Sequence, residues 1–139
     1  MIKQSVKELG VEEILTQLRD AANLIDASLV SLTEAQRAQS EAYKNRNDAR
    51  TILELAKATA VMSLPETAKN DLTRQAYITK ECTAEIRVLT DVENRIYDAE
   101  AKVQECQRML QLYQNQFLAA QKRALLVSAL CNAAVVVDG

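Results

Sequence analysis

Between residues 92 and 131, positions without charge recur at alternating steps of four and three: Val92, Ile96, Ala99, Val103, Cys106, Leu110, Tyr113, Phe117, Ala120, Ala124, Val127 and Cys131. That repeat belongs to a helix packed along one seam against another helix. Ile78, Cys82, Ile86 and Leu89 lead into it in poorer register. The N-terminal half carries a second stripe through Val11, Leu15, Leu18, Ala22, Ile25, Leu29 and Leu32. It continues in small residues through Ala35, Ala38, Ala42, Asn45, Ala49, Ile52 and Ala56. Such residues let a partner helix come close while burying less apolar area per turn. Asn45 is either a polar group that fixes register on this stripe or one that rotates to solvent. Ser5 and Glu8 have capping-box spacing, which predicts a helix that starts before Gly10 and runs through it.

Between the stripes, Ser63-Leu64-Pro65-Glu66 offers an N-cap serine, a proline in the first helical turn and a glutamate at the third position. The pattern therefore predicts a single helical domain over 1–139, with arms at 5–62 and 64–131 and a turn near 62–66. The fold class is all-α: a long antiparallel helical hairpin, coiled-coil-like, assembling into a multi-helix bundle. A turn there pairs positions whose numbers add to about 126, placing Leu18 near Arg108 and Leu110, and Ala49 near Tyr77. The arms are then unequal. Phe117, Ala120, Ala124, Leu125, Val127, Leu130 and Cys131 lie in an apolar overhang that begins at about residue 117, runs into the tail 124–139, and is expected to be covered by a second copy.

Composition narrows the classes without changing the fold. Two glycines, one proline and 4% aromatic residues leave too little turn chemistry for a sandwich, a barrel or an α/β fold. A net charge of −2 gives no overall attraction to nucleic acid or an anionic membrane. A basic strip of Arg37, Lys44, Arg46, Arg50 and Lys57 is the best local candidate for phosphate contacts, but acidic residues between Glu34 and Glu54 interrupt it.

Catalytic and metal chemistry find no foothold. With no histidine, no phosphate-binding glycine loop and no nucleophile elbow, neither an enzyme nor a cofactor or metal site is expected. Cys82, Cys106 and Cys131 match no zinc spacing and fall on the apolar stripes as small hydrophobes, in keeping with a reducing cytoplasm. The uncharged run Ala124–Val137 is shorter than the roughly 20 residues of a spanning helix, so no membrane insertion is expected.

The element Asn70-Asp71-Leu72-Thr73-Arg74-Gln75-Ala76-Tyr77, followed by a long Ala/Glu-rich helix, makes residues 70–118 resemble small helical early proteins encoded by tailed bacteriophages. The resemblance implies a cytoplasmic protein of the host cell acting through protein contacts on a DNA-transaction or defence component. Two functions of different class follow. The first is an oligomeric, non-enzymatic interaction module, an adaptor or inhibitor. The alternative is a nucleic-acid accessory factor (an end-binding or annealing helper), with a purely structural scaffold as a third possibility.

Overall fold

A computed structural model of the protein describes residues 10–138, with side-chain surroundings for residues 10–133. The Ser5–Glu8 capping box therefore lies outside the described residues. Three helices follow in order: α1 at Val11–Met62, α2 at Asp71–Glu81 and α3 at Thr83–Asp138, with no strand among the described residues. The expected all-α class holds, and the two long helices pack against each other as an antiparallel hairpin. Packing divides the chain into two compact units, Met1–Thr33 with Gln104–Gly139, and Glu34–Val103.

The α3 seam is the one its spacing predicts. Val92, Ile96, Val103, Cys106 and Ala120 are buried, and Ala99, Leu110, Tyr113, Phe117, Ala124, Val127 and Cys131 are half-buried. The α1 seam differs at every second position. Buried or half-buried residues run Ile14, Leu18, Ala21, Ile25, Ser28, Leu32, Ala35, Gln39, Ala42, Arg46, Ala49, Leu53, Ala56 and Ala60. These alternate by four and three without a slip, whereas the expected stripe took three successive steps of three after Leu29. Leu15, Leu29, Ala38, Asn45 and Ile52 are exposed, each one residue away from the true seam position. The reason is the regularity of the repeat. An uninterrupted heptad must accept Ser28, Gln39 and Arg46, because shifting phase to avoid them would take the flanking turns off the partner. From Ala21 to Ala56 one seam position of every heptad is Ala or Ser, which favours a close approach of the helices.

The connection also differs from expectation. Ser63 does not open a helix; its N–H donates to the Ala60 carbonyl at 3.1 Å and its hydroxyl to Thr59 at 3.2 Å, so it closes α1. Pro65 cannot donate to the ladder and disfavours helical backbone at Leu64, and a turn from Pro65 to Ala68 follows. The cap of the next helix is Asn70, whose extended backbone (φ −121°, ψ 166°) lets its side chain accept the Thr73 N–H at 2.8 Å. The Arg74 Nε donates to the Ala68 carbonyl and the Tyr77 hydroxyl to the Ser63 carbonyl, both at 3.1 Å, tying α2 to the connection.

At Cys82 the helix breaks for one residue (φ −101°, ψ 15°) and α3 begins. The Thr83 hydroxyl donates back to the Thr79 and Lys80 carbonyls, a bond that competes with the regular ladder and bends helices. The break lets Ile78 and Ile86, on either side of it, pack with Ala56 and Leu89 on the buried core of Leu53, Ala60 and Cys82. Cys82 is the most deeply buried side chain described, at 1% exposure.

Because the second arm starts later than expected, the register moves. In the first unit the Arg123 guanidinium donates to Gln17, and Val127 is the nearest side chain to Gly10. In the second, Tyr43 meets Glu100. These pairs add to about 140 rather than 126, a displacement of roughly 14 residues or about 21 Å along the axis. The overhang expected beyond residue 117 is therefore not unpartnered: Ala120 is 4% exposed, and residues 117–127 lie along the first turns of α1. Helix continues through Asn132 to Asp138.

Candidate interaction surface

Three groups of residues compete as a functional surface. The first is a polar layer within the seam of the second unit. Arg46 projects from a seam position, with its guanidinium carbon 4.9 Å from the centre of the Tyr43 ring. Its Nε is buried without a hydrogen-bond partner, as is one carboxylate oxygen of Glu85 further along the same unit. The Tyr43 hydroxyl donates to the Glu100 carboxylate. That hydrogen bond, then partial burial and the Glu100 charge, pushes the Tyr43 phenol above its ordinary value of 10.0.

Folding thus favours the protonated phenol. Its stabilisation is complete below pH 10.0 and is lost as pH rises through the raised folded-state value. The stability difference between the parent chain and Tyr43→Phe, read by denaturant titration, should stay constant near neutrality and shrink above pH 10.0. A difference that persists unchanged at higher pH would mean that the bond to Glu100 does not depend on the phenolic proton.

The second group is the basic strip, which the fold disperses. Arg37 and Lys44 are exposed two turns apart on the outer side of α1, and Arg50 is exposed beside the seam. Arg46 is turned into the seam. Lys57, half-buried, pairs with Glu54 at 3.7 Å. No single face carries the five together, so the field of any one of them is local. Among the described residues, no group of three or more His, Cys, Asp or Glu side chains has the arrangement of a metal site, and no helix is long and apolar enough to cross a membrane.

The third group is the apolar tail set, and the fold splits it in two. Phe117, Ala120, Ala124, Val127 and Cys131 occupy the seam towards α1, whereas Leu125 and Leu130 point away and are exposed. Sequence reasoning missed what Leu130 belongs to. Met109, Leu112, Gln116, Ala119, Arg123, Leu126, Leu130 and Ala133 are all exposed and again step by three and four. They form a second heptad stripe on α3, displaced around the helix from the first. The signal was present in the sequence, but the stronger first stripe concealed it.

Part of this second stripe lines a shallow groove of about 300 Å³ between the arms of the first unit. Gln116, Ala119, Ala120 and Arg123 form one wall, and Gln17, Asp20, Ala21 and Leu24 the other. Leu24, Leu112, Leu126 and Leu130 keep between 40% and 61% of their surface in water. A helix with one buried seam and a second exposed, largely apolar seam is suited to hold another helix, since the vacant stripe has the spacing that knobs-into-holes packing uses. Comparison of the chain with protein-family models, curated proteins and solved structures returns no match.

Proposed function

We propose that this protein is a non-enzymatic protein–protein interaction module, a helical adaptor or inhibitor that presents the second seam of α3 to a partner. The observation that supports this reading most strongly is the exposure of Leu112, Leu126 and Leu130 at heptad spacing on a helix whose other seam is already filled. Apolar side chains set at that spacing and left in water mark a binding face more often than a passive surface. On the resemblance of residues 70–118 to early proteins of tailed bacteriophages, the partner we propose is a DNA-transaction or defence protein of the host cytoplasm.

Affinity capture from host cells, followed by mass spectrometry with and without nuclease, tests this reading. Partners should survive nuclease and be lost on Leu126→Asp. The triple substitution Arg37→Glu, Lys44→Glu and Arg50→Glu, confined to exposed side chains, should leave capture unchanged. Loss of every partner on nuclease treatment, or on the triple substitution, would favour a nucleic-acid accessory role instead, because phosphate contacts depend on exposed cations.

A further inference from the structure

We propose that the second seam of α3 is covered by the same seam of a second copy of this chain, antiparallel, in a symmetric dimer. This rests on the interaction reading above and names its occupant. Charge favours this arrangement. Asp20 and Arg123 are the two charged residues lining the groove, one on each wall. An antiparallel two-fold centred near residue 121 brings Arg123 of the second copy over Ala119, a small residue beside Asp20. The long Arg stem crosses the alanine, and its guanidinium reaches Asp20; the two-fold repeats the contact in reverse. A parallel pairing would instead set Arg123 against Arg123 in the same groove, with like charges opposed.

Complementarity along the seam favours it too. The same axis sets Leu112 against Leu130 of the second copy, leucine on leucine at both ends of the seam, and Leu126 beside the aliphatic stem of its Gln116. The area is sufficient as well. Opposite the described residues of α1, from Met109 to Leu130, the face is about 32 Å long and two helices, roughly 20 Å, wide. It therefore spans on the order of 600 Å² per copy, approaching the roughly 800 Å² that each partner buries in a stable specific complex. A self-complementary face of this size needs no other chain to satisfy it.

Sedimentation of the parent chain and of a set of variants tests the proposal. The parent should sediment with twice the mass of one chain. Leu112→Asp and Leu126→Asp should weaken the dimer on the order of 30-fold or more, as loss of a buried apolar anchor does. Leu118→Asp and Leu125→Asp are the controls. These residues are as exposed, at 53% and 71%, but lie on the adjoining face, and the dimer should be unaffected. Asp20→Arg and Arg123→Asp should each weaken it, and mixing the two variant chains should restore a dimer, a rescue between chains that a folding defect cannot mimic. In a Cys131→Ser background, a mixture of Leu112→Cys and Leu130→Cys chains should cross-link on mild oxidation, while Leu112→Cys chains alone should not.

A monomeric parent overturns the proposal, as does equal weakening by all four aspartates or a Leu112→Cys homodimer. If a monomeric parent still captures a nuclease-resistant partner that Leu126→Asp abolishes, only the second copy is overturned and the interaction reading stands. Loss of both would overturn the two together.

Discussion

Leu53→Asp should unfold the second unit at denaturant concentrations where Ile52→Asp, one residue away, leaves it intact. Side-chain size alone does not separate the two, since both are large aliphatics in the same turn of α1. Leu53 is 6% exposed and packs with Ala60 and Cys82, whereas Ile52 is 56% exposed beside the seam. A carboxylate at position 53 would lose its water, find no cation on the facing residues Ala56, Ile78, Ile86 and Leu89, and displace a core leucine. The combined cost is about 3–5 kcal/mol, a large fraction of what holds a domain of this size together. At position 52 the carboxylate stays in water, and the cost should be within about 1 kcal/mol. Equal destabilisation by the two variants would show that the α1 seam is misplaced.

Truncation after Gln116 should have the second large effect, and the register explains why. The removed residues include Ala120 and Val127, which face Ala21 and Gly10 across the first unit. Ile14, Leu18 and Ala21 would then line a helix with nothing against it. An isolated stretch of roughly 12–15 residues is marginal in water even when its composition favours helix. The far-UV signal should therefore fall by more than the deleted residues account for, and amide exchange should accelerate over 11–24. If the loss were confined to the deleted residues, the tail would have no part in holding α1. The same variant lacks five of the eight residues of the second seam, so it should also fail to capture any partner that seam binds.

The two seams differ in how far they could be read from the sequence, for a physical reason. On α3 the stripe keeps one phase from Val92 to Cys131 with no charged member, so the repeat itself finds the seam even where a larger leucine stands beside it, as Leu125 does beside Ala124. On α1 a competing phase is as apolar as the true one. Leu15 stands beside Ile14, Leu29 beside Ser28, and Ala38 and Asn45 beside Gln39 and Arg46. The heptad there is held by the alanines of one position, and the long stems of Gln39 and Arg46 serve as partial packing at the other.

The turn illustrates a second limit. Pro65 ends a helix as readily as it begins one, and only the Asn70–Thr73 cap decides between them. That cap was in the sequence, yet the Ser-x-Pro-Glu pattern next to the end of α1 competed with it. The register inherited the displacement, and with it the apparent overhang. The outward leucines were legible as an apolar surplus, but their arrangement as a second stripe required the first seam to be fixed.

Every later step depends on the register of about 140: the covered tail, the groove between Leu24 and Ala119, and the second seam. It can be measured directly as a distance in solution. With Cys82, Cys106 and Cys131 replaced by alanine, spin labels at positions 19 and 122 are compared with labels at 19 and 108. Arg108 and Lys122 occupy the same heptad position two repeats apart, so their labels project from the same side of α3 and differ by about 21 Å along its axis. The account predicts that the pair at 19 and 122 is the closer, by roughly 10 Å once the width of the hairpin is included. A shorter distance between 19 and 108 would contradict it and restore the register centred on the turn at 62–66.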